Sequence, residues 1–136
     1  MIASSLLKIG DMYRNGIVGY IKNPKDVGYV EGEQHGFIVS INDVLGDYGC
    51  NWSDAQRACS ELDGNGSGVW RLPSITELKI LYGNRGVIGG FKEVGYWSST
   101  DEGTKNDAYI QIFNKASLCN HDEKTAHHSV RAVQDF

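Results

Sequence analysis

Two short apolar runs open the chain's hydrophobic pattern, Gly16–Ile21 and Gly36–Ile41. Each is rich in β-branched residues and too short for a helix, so each predicts a buried strand. Residues 22–35 between them are polar and carry Pro24 and glycines, which predicts a loop. The period then lengthens. Ala55, Ala58, Cys59 and Leu62 recur at helical spacing within Asn51–Leu62. Ser53 stands three residues before Gln56, a capping-box pattern, and Asp54 suits the positive end of the helix dipole. The run Asp63-Gly-Asn-Gly-Ser-Gly68 should stop that helix. A second helix is expected over about residues 74–82. Ser74 and Glu77 form its capping box, Ile75, Leu78, Leu81 and Tyr82 its apolar face, and Gly83 its C-cap.

Beyond Gly83 the pattern returns to strands: Tyr96–Thr100, Ala108–Phe113 with clear alternation, and Val130–Val133. The polar segments Asp101–Asp107 and Asn114–Ser129 read as connecting loops. Strands, two helices, then strands predict an α+β domain with antiparallel sheets.

Composition narrows the class. The chain has 136 residues, 40% of them hydrophobic, which suits one domain with one core. A net charge of −4 argues against a dedicated nucleic-acid binder, which would show a basic stripe. The apolar runs fall short of a membrane span, so no membrane insertion is expected. Met1–Lys8 lacks the length and the basic start of a secretory leader. Cys50, Cys59 and Cys119 make an odd count, so at least one is free or pairs between chains. Without a C-x-x-C spacing, the plain reading is that one or two serve as small buried hydrophobes.

Several motifs in order, Gly36-Phe-Ile-Val-Ser40, Trp52…Ala55…Cys59, Trp70-Arg-Leu-Pro-Ser-Ile-Thr-Glu-Leu78, Gly95-Tyr-Trp-Ser-Ser-Thr100 and Val130-Arg-Ala-Val133, resemble a bacterial and phage C-type-lectin-like domain. This is the type found at the end of collagen-like adhesins, and the similarity spans roughly residues 10 to 136. The resemblance implies two helices, a small sheet near the chain ends and a second antiparallel sheet carrying long loops. It makes Trp70 and Trp97 core anchors, and Arg71 and Arg131 structural cations.

Branches of this fold differ in chemistry. Calcium-dependent lectins carry Glu-Pro-Asn or Gln-Pro-Asp and a later Trp-Asn-Asp, and none of these occurs here. Asp101, Glu102 and Asp107 could supply some of the oxygens that Ca²⁺ requires, although acidic loop residues are usually just solvated. The formylglycine-generating branch needs a cysteine pair. Cys119 stands alone in the C-terminal half, so no enzyme and no cofactor are expected. Cys119, His121, Asp122, His127 and His128 are zinc-type ligands at no standard spacing, and solvated loop histidines are the simpler reading.

The remaining branch, the variable proteins of diversity-generating retroelements, implies a fixed scaffold displaying exchangeable residues. Adenine-directed diversification of Asn codons reaches most residues but never Lys, Glu, Gln, Met or Trp. Ser117–Asp122 and Thr125–Ser129 belong to the reachable set, whereas Glu123 and Lys124 do not. Most of the chain also satisfies this test, so it is compatible without being decisive. The expected binding face comprises Asp101, Thr104 and Asn106 from the first loop and Tyr109 and Gln111 from the strand. From the second loop it takes Ser117, Leu118, Cys119, Asn120, His121, Asp122, His127 and His128. Leu118 and Cys119 are apolar among polar neighbours, as at binding surfaces, and Tyr109 offers contact area at low entropic cost. The implied ligand is a protein or glycan on a cell surface, with the domain extracellular, on a cell surface or on a phage particle. A homo-oligomer would raise avidity. An undiversified glycan-binding adhesin or pilus-associated domain is the alternative.

Overall fold

The computed structural model describes residues 6–46, 48–62, 69–101 and 105–136. The helix stop at Asp63–Gly68 and the candidate residues Glu102 and Thr104 lie outside these. Among the described residues the order is β1 (Met12–Tyr13), β2 (Gly16–Ile21), β3 (Gly36–Ser40), α1 (Trp52–Ser60), α2 (Ile75–Gly83), α3 (Arg85–Ile88), β4 (Gly95–Trp97), β5 (Asp107–Ile112), β6 (Cys119–Glu123) and β7 (Val133–Asp135). One antiparallel sheet runs β1-β2-β3-β7 and joins both ends of the chain, and a second runs β4-β5-β6. This is the expected α+β arrangement: two main helices, a small sheet that holds both ends of the chain and a second antiparallel sheet.

β2 and β3 read as continuous apolar runs because both their faces are covered. Val18 and Ile38 enter one core cluster with Trp70, Trp97 and the α1 residues Ala55 and Cys59. Ile17, Phe37 and Val39 enter another with Leu78 and Leu81 of α2, Tyr96 and Phe113. A bulge falls between Val18 and Tyr20. At Gly19, inside it, a Cβ would lie 2.7 Å from Leu81 Cδ2, so the missing side chain lets α2 settle on the sheet.

The α2 capping box forms as expected: the Glu77 N–H donates to Ser74 Oγ (3.1 Å) and the Ser74 N–H to Glu77 Oε1 (2.8 Å). The C-cap, however, is Asn84 rather than Gly83, and a short α3 follows before Gly89 turns the chain at φ 78°. The burial of Ile88 gives that extra turn its anchor. At α1 the expected Ser53–Gln56 box is replaced by Asn51, whose Oδ1 accepts from the Asp54 N–H at 2.9 Å. Asn and Ser cap about equally well, so residue type alone does not choose between positions two apart. α1 ends at Ser60, which leaves Leu62 outside the helix and 39% exposed instead of on the buried face.

The strand limits also move. β4 stops at Trp97, and just beyond it Ser98 Oγ accepts locally from the Thr100 N–H (3.1 Å) while donating across to Tyr109 O on β5 (2.8 Å). The last strand is Val133–Asp135 rather than Val130–Val133. Val130 to Ala132 are fully buried, but the β3 ladder registers with Val133–Asp135, and at Ala132 the N–H bonds the Ser40 hydroxyl (3.1 Å) in place of a backbone carbonyl.

Arg71 clamps α2 to β7. Its guanidinium forms two 2.7 Å bonds to Glu77 and reaches Asp135 at 2.8 Å. Burial alone would raise the Glu77 carboxyl, but the Arg71 bonds and the Ser74 N–H outweigh it and hold the group below its usual value. The pair therefore favours folding above the unfolded carboxyl pKa and is lost as pH falls through the folded one. Glu77→Gln should cost roughly 2 kcal/mol at pH 7. The two proteins should converge in acid, once Glu77 is protonated, and urea unfolding at pH 7 and pH 3 reads the difference.

Candidate functional site

The segment expected as a single loop, residues 114–129, instead forms a hairpin tip, an edge strand and a return segment. Polar residues on both faces of β6 hide it from any period-2 reading. At the tip, Asn114 Oδ1 accepts from the Ala116 N–H (3.0 Å) and its carbonyl from Ser117 (3.1 Å), while Ser117 takes a left-handed φ of 52°. Leu118 follows, 50% exposed.

The β5–β6 register sorts the side chains. Tyr109 pairs with His121, Asp107 with Glu123, Ile110 with Asn120 and Ala108 with Asp122. Alternation sends Ala108 and Ile110 into the core and Tyr109 and Asp107 to the other side. There the His121 ring stands at 90° to Tyr109, centroids 6.0 Å apart, and its Nδ1 lies 3.0 Å from Asp107 Oδ2. Asn120 and Asp122 belong to the opposite face. His128 Nε2 meets Asp122 Oδ2 at 2.8 Å, and its ring packs edge-on against Trp97 at 4.8 Å. This hydrogen bond and the Glu123 N–H hold the Asp122 carboxyl below its ordinary range.

The expected residues thus form several groups. Asn106, Ser117, Leu118, Asn120, His121 and His127 are exposed, while Asp101, Tyr109, Cys119, Asp122 and His128 are half-buried. Tyr109 and His121 share one face of the hairpin. Ser117 and Leu118 lie at the tip. Asp101 and Asn106 lie at the far end, about 15 Å away by strand rise. Gln111 leaves the face altogether. It is 1% exposed and its Nε2 donates to Ile112 O at 3.1 Å, because this end of β5 runs under α2, where Tyr82 meets Phe113 at 5.5 Å.

Supporting residues have weaker sequence signals. The Lys124 ammonium lies 3.3 Å from Asp101 Oδ2, 3.2 Å from the Lys105 carbonyl and 4.3 Å from the centre of the Trp52 ring. Its backbone joins Asn106 (2.7 Å) and Trp52 (3.0 Å), so it ties both loops to α1. Gly49 admits the return segment: its φ is 70°, and a Cβ there would meet His128 O at 2.3 Å, next to the Cys50–His128 bridge. All three cysteines are free thiols. Cys50 and Cys59 are buried, and burial pushes the Cys59 thiol up to about 12, so it is an inert core group. Among the described residues no three His, Cys, Asp or Glu side chains converge to hold a metal ion, and no helix is long and apolar enough to cross a membrane. The site can offer hydrogen bonds, an aromatic edge and an exposed leucine on a packed sheet.

Comparison with curated proteins finds no match. Among solved structures the chain is similar to EMS16, described as an antagonist of the collagen receptor integrin α2β1. The identity is 13%, over 80% of this chain and 98% of that one, with a TM-score of 0.49. A family model for the Lcl C-terminal domain matches residues 30–134, which takes in β3, the helices and the whole β5–β6 hairpin, and the chain belongs to that family.

Proposed function

We propose that this Lcl C-terminal domain is a non-catalytic receptor-binding or adhesion module that reads its ligand with the β5–β6 hairpin and the segments joined to it. The observation that carries this reading is the outward set of Tyr109 and Asp107 on β5 and His121 on β6, in a hairpin whose β5 strand has its other face locked into the core. A ligand meeting such a surface finds side chains already ordered, so less entropy is lost on binding. The ligand class is a protein or glycan on a cell surface, met outside the cell, from a cell surface or from a phage particle.

Diversification by a retroelement fits the same geometry. The positions in the reachable set include Ser117, Leu118, Asn120, His121 and His127, all exposed. Lys124, outside that set, is the residue that fastens the loops together. A reverse-transcriptase gene and a near-copy of the 3′ coding region beside this gene would support that reading, and their absence would favour an undiversified adhesin.

Replacing Leu118, Asn120 and His121 together with alanine tests the site. In a glycan array and a surface-protein screen, a ligand of the native chain should bind the variant at least roughly tenfold more weakly, a loss of about 1.4 kcal/mol or more. The melting temperature should change little, because these side chains are exposed. Undiminished binding would move the site off the hairpin.

A further inference from the structure

The segment after β3 and the outer face of α1 enclose a trough that the hairpin does not use. Two clefts of about 520 and 460 Å³ meet there and share Asp43, Val44 and Leu62. Val44 and Trp70 contribute buried apolar surface to the lining. Ile41, Leu45 and Leu62 line it while 43%, 59% and 39% exposed. Leu45 adds a second observation. Its φ is 65°, a left-handed conformation that costs an L-residue about 1–2 kcal/mol and that Gly or Asn adopts with less strain. Here the strained position carries a large apolar side chain that the core does not use. Leu62 likewise continues the apolar spacing of α1 but lies beyond the helix end, over the trough.

The rim has a sign. Its ionisable residues are Asp54 and Glu61 against Arg57, with the Asp43 side chain buried in the lining at 8% exposure. Arg57 is already spent on Asp54 at 2.5 Å and Lys92 on Asp43 at 3.1 Å, so the exposed Glu61 sets the balance. Apolar walls beside an exposed glutamate match a ligand that joins apolar side chains to positive charge.

We infer that this trough docks a short segment of a partner protein in which one or two apolar side chains stand next to Lys or Arg. The apolar groups enter the two clefts and the cation meets Glu61. This site is separate from the hairpin and does not depend on it.

A displayed library of random 12-residue peptides, selected against the full chain, is the probe. Enriched peptides, synthesised and measured by fluorescence anisotropy, should combine an apolar residue with Lys or Arg. Their affinity should fall roughly tenfold or more with Leu62→Asp. It should fall about threefold with Glu61→Lys at low salt, an effect that shrinks as salt rises. Leu118→Ala should change nothing. Should Leu62→Asp fail to fold, the exposed Glu61→Lys carries the test. The inference is overturned if no peptide is enriched, if the enriched peptides lack a cationic preference, or if they bind the folded variants as tightly as the native chain.

Discussion

Arg131→Ala should destabilise the domain by about 4 kcal/mol, the sum of two orphaned carbonyls and a cavity. The side chain has no exposed surface. Its Nε–H donates to Ser40 O at 2.8 Å and its Nη1–H to Gly89 O at 3.1 Å, and its guanidinium lies 4.2 Å from the Phe91 ring centre. It therefore holds together the end of β3, the turn after α3 and the aromatic cluster of Phe91, Tyr96 and Phe113. Burial pulls its pKa below the usual arginine value, opposed by the Asp43 carboxylate and the Tyr96 hydroxyl nearby. Asp43 is itself fixed by the Tyr96 hydroxyl, which donates to it at 2.8 Å. Arg131→Lys should lose about half as much, because an ammonium keeps the charge but cannot fork to two carbonyls in a plane. Urea unfolding midpoints rank the variants. If alanine cost less than about 1 kcal/mol, below even the usual range for a buried unsatisfied group, the guanidinium would not be the strut described here.

Arg131 also marks where the sequence could be read and where it could not. Its structural role was visible through the Val130-Arg-Ala-Val133 motif, but its partners at Ser40 and Gly89 are tertiary and leave no local trace. The same divide runs through the fold. Ser74 and Glu77 satisfy each other within one turn, so that cap was legible, and the apolar runs of β2 and β3 were legible because both their faces are buried. For the first helix the local pattern pointed to Ser53, whereas the cap that forms is Asn51, a residue of similar capping strength two positions earlier. β6 was illegible because it is an edge strand without a buried stripe. Within the candidate face, Tyr109 and Gln111 share a strand face by alternation, and nothing local says that the helix α2 end of that strand is covered. Gln111 is therefore the residue on which sequence periodicity overreached.

Trp97→Ala should cost about 3–5 kcal/mol, in the range of large aromatic truncations in a core. Trp97 has no exposed surface, its indole N–H donates to Cys50 O at 2.8 Å, and its ring supports His128. Trp97→Phe should lose about 2 kcal/mol, mainly lost contacts and volume rather than an orphaned acceptor. The reason is that Cys50 O also accepts from the His128 N–H at 3.1 Å and stays satisfied when the indole is gone. The larger consequence is local. His128 braces Asp122, so a smaller side chain at position 97 frees the return segment and, through it, the unpaired edge of β6. Amide exchange of Trp97→Phe should therefore accelerate over residues 119–129 more than over β2 and β3. If exchange rose evenly across the domain, Trp97 would serve the global core alone. If it rose first in the hairpin, this tryptophan would be the link through which core packing keeps the binding face ordered, and ligand affinity should fall even though no contact residue has changed.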